Sequence, residues 1–245
     1  MIPYDKIKVI AFDADDTLWS NEPYYRDAEK EYINILDRYF APDEISKELY
    51  QTEMSNMSDL GYGAKAFTIS MIQTAIKLKR KYIGTEQVDF ILSDDMLLRF
   101  IEIGRNLLTI SAEPLPDVNE TLHKLRGSGK YKLILATKGE QRDQLGKLKR
   151  SKLSPFFDHV EIMLDKTEEE YLRLMKMVGA EPSDFVMVGN SFKSDIKPVL
   201  AVGGYGIHIP YEIMWQHEVT ELFEHEHLVT LNRFNELLKQ FGIFQ

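Results

Sequence analysis

KVIAFDADDTLW, from Lys8 to Trp19, is an apolar run that stops abruptly at carboxylates. Val9, Ile10, Ala11 and Phe12 carry no charge and include β-branched residues, which fits a strand buried on both faces. Asp13, Asp15 and Asp16 follow, and then Thr17. Carboxylates at the exit of a buried strand are costly unless a cation, hydrogen bonds or water meet them. In open α/β sheets the carboxyl ends of strands are also where ligands bind. Residues two apart on a strand share a face, so Asp13 and Asp15 address one site if the extended geometry persists. One carboxylate can then attack an electrophile while the other moves a proton, with a hard, oxygen-loving cation between them.

Downstream, the pattern switches to helix. Asn21 can cap and Pro23 suits a first turn, with Tyr24, Ala28, Tyr32, Ile35 and Tyr39 at helical spacing. Ile45, Leu49 and Met57 mark a second helix ending near Gly61, and Phe67, Met71, Ile72, Ala75 and Leu78 a third. Gly84-Thr85 restarts the chain, and two more helical pieces are expected before Leu108. Such aromatic and methionine stripes build cores far more often than ligand sites. Residues 20–107 therefore read as an all-helical insertion, closed by the proline-punctuated connector Ser111 to Pro116. Within it, Leu60-Gly61-Tyr62-Gly63-Ala64-Lys65 has two readings: helix punctuation, or a substrate-sensing loop in which Tyr62 and Lys65 set specificity.

From Asp117 an α/β alternation returns. Strands are expected at Tyr131–Ala136, His159–Met163, Phe185–Val188, Tyr205–Ile209 and Leu228–Leu231, with helices between them and a closing helix through Phe234, Leu237, Leu238 and Phe241. The second strand ends at Thr137-Lys138-Gly139, where a hydroxyl, an ammonium and free backbone N–H groups can hold a phosphate. Lys166 stands just before the helix that begins at Glu168. The fourth strand of the chain runs into Gly189-Asn190-Ser191-Phe192-Lys193-Ser194-Asp195.

Taken in order, these four strand-end features resemble the motifs of the haloacid dehalogenase superfamily. Asp13-Ala14-Asp15-Asp16-Thr17-Leu18 matches its first motif, Thr137 the second and Lys166 the third, with Thr167 where proline is usual. Gly189 to Asp195 matches the fourth, with Asn190 replacing its first aspartate. The resemblance spans the whole chain. It implies an α/β core with a Rossmann-like parallel sheet at 1–19 and 108–245, strands one, two and four side by side, and an inserted all-helical cap of the C1 type at 20–107. It further implies Mg²⁺-dependent hydrolysis of a small phosphate monoester. Asp13 would be the nucleophile and Asp15 the general acid and base. Thr137, Lys138 and Lys166 would bind phosphate, with Thr137 and Lys166 also catalytic. Mg²⁺ would be held by Asp13, the Asp15 main-chain carbonyl, Asn190 and Asp195.

Two other readings follow the same residues. A dehalogenase of the superfamily also uses the first aspartate but needs neither Mg²⁺ nor the second, so Asp15 speaks against it. Asn190 alone favours a catalytically weakened phospho-ligand binding protein. His217, His225 and His227 invite zinc, yet without cysteine or a metalloprotease pattern they read as ordinary histidines. A net charge of −9 argues against nucleic acid or anionic membrane as a partner. The lack of cysteine and of a signal-like amino terminus points to the cytoplasm, and the resemblance implies a small phosphorylated metabolite as the partner.

Overall fold

The computed structural model describes residues 2–83 and 89–243, so the restart at Gly84-Thr85 lies outside the described residues. The chain divides into two compact units, Met1–Glu22 with Ser111–Gln245, and Pro23–Ile110.

The first is an α/β unit around a six-stranded sheet: β1 (Val9–Phe12), β2 (Lys132–Lys138), β3 (His159–Met163), β4 (Phe185–Gly189), β5 (Tyr205–His208) and β6 (Leu228–Thr230), in the order β3-β2-β1-β4-β5-β6. Every pairing is parallel. Between the strands lie α5 (Val118–Gly127), α6 (Gln141–Ser151), α7 (Glu168–Val178) and α8 (Lys197–Ala201), and α9 (Glu236–Gln240) closes the chain. The period-two alternation divides each central strand between two cores. Ile10, Phe12, Leu133, Leu135, Val186 and Val188 face the layer that holds α5 and α9. Val9, Ala11, Ile134, Ala136, Phe185 and Met187 face the layer of α7 and α8. Fully burying the Val, Leu, Ile, Phe and Met side chains among them stabilises by about 1.5–3 kcal/mol each. Because β1 is central, flanked by β2 and β4, the chain leaves it between the carboxyl ends of two neighbours.

The second unit is all-helical among its described residues: α1 (Glu22–Leu36, which starts one residue inside the first unit), α2 (Pro42–Leu60), α3 (Ala64–Tyr82) and α4 (Asp94–Leu107). One helix is described between residues 89 and 108, where two pieces were expected. Its core is aromatic. Tyr32 packs edge-on to Phe100 at 4.8 Å, and its buried hydroxyl donates to the Met71 carbonyl at 2.8 Å. Tyr39, Phe40 and Phe90 form a second group. The division falls after Glu22 because Asp16 accepts from the backbone N–H groups of Asn21 and Glu22, which holds both to the α/β unit. The Asn21 side-chain oxygen accepts from Lys147 at 2.8 Å. No described helix is long and apolar enough to cross a membrane.

Candidate active site

Asp13 follows β1, and its N–H still donates to the Val188 carbonyl at 2.9 Å, so the strand delivers the side chain to the end of β4. The extended geometry ends there. Leu18 N–H donates to the Ala14 carbonyl at 2.8 Å, and Asp16 takes a left-handed φ of 63°, a conformation that aspartate tolerates better than most residues. This turn carries Asp15 away from the strand's period, and Asp13 and Asp15 acquire separate partners.

The Asp13 carboxylate accepts from Lys166 Nζ at 2.5 Å, and the same ammonium donates to Asp195 at 2.6 Å. Lys166 sits at the mouth of α7, where Thr167 caps the helix by accepting from the Glu170 N–H. Thr167 thus does local structural work in a place where proline would only have preset the backbone. Asp195 comes from the wide turn after β4. Its second oxygen accepts from the Ser191 N–H at 2.9 Å. Gly189 makes room for that carboxylate, since a Cβ there would lie 2.2 Å from Asp195 Oδ2. Asn190 joins through Thr17, whose hydroxyl oxygen accepts from the Asn190 N–H at 3.0 Å. The single Thr17 proton is shared between Asp13 at 3.1 Å and the Asn190 side-chain oxygen at 3.0 Å.

Asp13, Lys166 and Asp195 are all buried. Burial pushes the Asp13 carboxyl up, with Lys166 pulling it down and Asp195 and Asp15 adding repulsion. Burial works against the Lys166 ammonium, but the two carboxylates outweigh it, so its hold on the proton is strengthened. Asp16 is pushed up to about 7 by burial, against the N–H groups of Asn21 and Glu22. Among the described residues, no group of three or more His, Cys, Asp or Glu side chains is arranged to hold a metal ion.

A family model for haloacid dehalogenase-like hydrolases matches residues 7–203. The chain belongs to this family. It is 26% identical over 215 residues to a glyceraldehyde 3-phosphate phosphatase of Methanothermobacter thermautotrophicus, covering 84% of this chain and 87% of that one. A protein of the same name from Methanocaldococcus jannaschii is 28% identical, covering 83% and 85%. A solved haloacid dehalogenase-like family hydrolase from Xanthomonas campestris is 32% identical, with a TM-score of 0.82 over 96% of this chain and 92% of that one.

The remaining predicted residues of this haloacid dehalogenase-like chain are placed less directly. Thr137 is buried near the end of β2, in register with Ile162. Lys138, next to it, donates to Ser194 at 2.8 Å and to Glu218 at 2.5 Å. Glu218 also accepts from the Ser191 and Ser194 hydroxyls. Burial works to raise its carboxyl, but Lys138 and the serines outweigh that and bring it down to about 2. Asp15 accepts from Trp19 Nε1 at 2.7 Å, Gln144 Nε2 at 2.8 Å and Lys147 Nζ at 2.9 Å. In the helical unit, Gly61 and Gly63 take positive φ values of 65° and 106°, ending α2 and opening α3 on either side of Tyr62. Tyr62 is half-buried and Lys65 exposed.

Reading the sequence for apolar stripes misses Glu218, Gln144 and Lys147. Glu218 lies in a stretch with no periodicity. For α6 a signal existed: Gln144, Lys147, Leu148 and Ser151 recur at the spacing of one helix face, and all are buried.

Proposed function

We propose that this chain hydrolyses small phosphate monoesters with the help of Mg²⁺, through an aspartyl-phosphate on Asp13. The observation that carries this reading is the Asp13–Lys166–Asp195 cluster, a buried nucleophile-type carboxylate locked to an ammonium at the ends of β1 and β4. An Asp13 oxygen attacks phosphorus, the bond to the ester oxygen breaks, and Asp15 gives that oxygen a proton. Water then attacks phosphorus as Asp15 takes its proton, and the bond to Asp13 breaks. Lys166 and the Thr137 hydroxyl hold the phosphoryl oxygens and offset their developing charge. Lys138 adds a second cation near that strand end, with its charge already balanced by Glu218.

The donor set fits Mg²⁺, since Asp13, Asp195, the Asn190 side-chain oxygen and the Asp15 carbonyl are all hard oxygens. Two buried carboxylates share one ammonium here, which leaves a negative charge that a further cation would offset. When bound, Mg²⁺ supplies the charge that lets an anionic carboxylate approach an anionic phosphoryl group. The helical unit would act as the cap over the α/β unit, with Tyr62 and Lys65 reading the leaving group. The archaeal relatives named for glyceraldehyde 3-phosphate place three-carbon sugar phosphates first among the substrates to try.

The test is phosphate release from a panel of phosphorylated metabolites, with Mg²⁺ and with EDTA. Metal-dependent release supports the reading. Halide release from a 2-haloacid with no phosphate release from any ester overturns it.

A further inference from the structure

Lys147 is the outlying charge of the α/β unit. It sits on α6, two turns into the helix that follows Thr137-Lys138-Gly139, yet its side chain is 2% exposed. A buried ammonium is costly unless partners surround it. Its partners are both Asp15 oxygens at 2.9 and 3.1 Å, the Asn21 side-chain oxygen at 2.8 Å, and Asp143 at 3.7 Å. Gln144, on the same helix face, donates to Asp15 at 2.8 Å and to the Lys138 carbonyl at 3.1 Å. With Trp19 Nε1 at 2.7 Å, the Asp15 carboxylate is held from three directions. A proton carrier works only when its oxygen is fixed within hydrogen-bond reach of the atom it serves.

We infer that Lys147, with Gln144 beside it, is a positioning residue that fixes the carboxylate of Asp15 for proton transfer and ties it to Asn21, where the chain leaves the α/β unit. This rests on the phosphatase reading above.

The test uses the leaving group as its readout. A nitrophenolate leaves without a proton, whereas a phenolate gains from one. Lys147→Met should lower the first-turnover rate with phenyl phosphate about a hundredfold, the lower end of general acid–base catalysis. Its KM should stay within about threefold, because the phosphate ligands are untouched. The first-turnover burst with p-nitrophenyl phosphate should fall less than about tenfold. Equal losses on the two esters reduce Lys147 to a structural residue, and unchanged kinetics make it a bystander; either result overturns the inference. If Lys147→Met does not fold, the same split is read on Gln144→Met, which removes a donor to Asp15 without deleting a buried charge. A parent that hydrolyses neither ester with Mg²⁺ overturns the phosphatase reading itself, whereas an active parent with unselective variants overturns this inference alone.

Discussion

The two units bury different chemistry. In the α/β unit the described buried residues include Asp13, Asp16, Asp143, Lys147, Lys166, Asp184 and Asp195. In the helical unit the described buried polar residues are the hydroxyls of Thr52, Ser70 and Thr74, and the core is otherwise Tyr32, Phe100, Met71 and their apolar neighbours. A buried ion pair is weak support for stability, since well-packed apolar residues often do as well. An apolar core is stability almost by definition. Buried charge is thus concentrated in the α/β unit, with Asp13, Lys166 and Asp195 joined at the strand ends and Asp143 and Lys147 on α6. If that contrast is right, mutations in the two units should fail in different ways.

Asp13→Asn should show the largest effect. An amide is no nucleophile, so turnover should fall by more than about a thousandfold, while circular dichroism and the unfolding midpoint stay near the parent's. Retained phosphate release in a contaminant-free preparation would move the chemistry off β1. Lys166→Ala should reduce turnover by about 10²–10³-fold, the range for losing a charge-stabilising group. It should also cost roughly 3–5 kcal/mol in urea unfolding, because Asp13 and Asp195 are left facing each other unpaired.

Phe100→Ala tests the other side of the contrast. It should cost about 3–5 kcal/mol by opening a cavity against Tyr32, with kcat per folded molecule little changed. Its stability loss should be nearly constant with pH, and there Glu218 offers a direct counterpart. The folded carboxyl of Glu218 lies at about 2, below its usual 4.5, so its contribution is complete above 4.5 and is lost as pH falls through about 2. Glu218→Gln should therefore be less stable than the parent near neutrality by about 3 kcal/mol at most. The deficit should close as urea unfolding is repeated between pH 4.5 and 2. A deficit that persists through that window would assign Glu218 a packing role instead of an ionic one.

The smallest effects belong to the helical surface. Tyr62→Ala and Lys65→Ala should shift relative kcat/KM across a metabolite panel by a few-fold, roughly the 1 kcal/mol scale of single exposed contacts. A uniform loss on every substrate would leave the loop as the end of α2 and the start of α3.

What the sequence carried and what it hid divide along the same physical line. Asp13 was marked by an apolar strand that stops at carboxylates, whereas Lys166 and Asp195 were marked only by their places in the series of motifs that resembles the family's. The parallel sheet was legible through the family resemblance, to which the apolar runs of β1 and β4 add a strand buried on both faces. The partner set of Asp15 was not. Two-residue periodicity predicts a shared face with Asp13, but the left-handed Asp16 and the turn to Trp19 redirect the side chain. Lys147 and Gln144 carried no apolar mark in the sequence, because a polar residue buried by a distant carboxylate leaves none. Glu218 was invisible altogether, since its meaning lies in Lys138, eighty positions earlier.

Trp19 and Pro114 form a bridge, and the Leu115 N–H donates to the Leu18 carbonyl at 2.8 Å, so the α/β unit closes its own seam on either side of the insertion. That seam has a kinetic meaning. Pairing β1 with β2 joins Val9 to Lys132 across the whole helical unit, a long-range contact of the kind that slows folding. An unfolded insertion makes this a wide, floppy loop whose closure entropy must be met before β1 can pair with β2. A helical unit that has already folded, rich in local contacts and able to do so early, shortens the search to a fixed span. An insertion that folds first would thus serve assembly: with its residues already compact, β1 and β2 have a shorter gap to close.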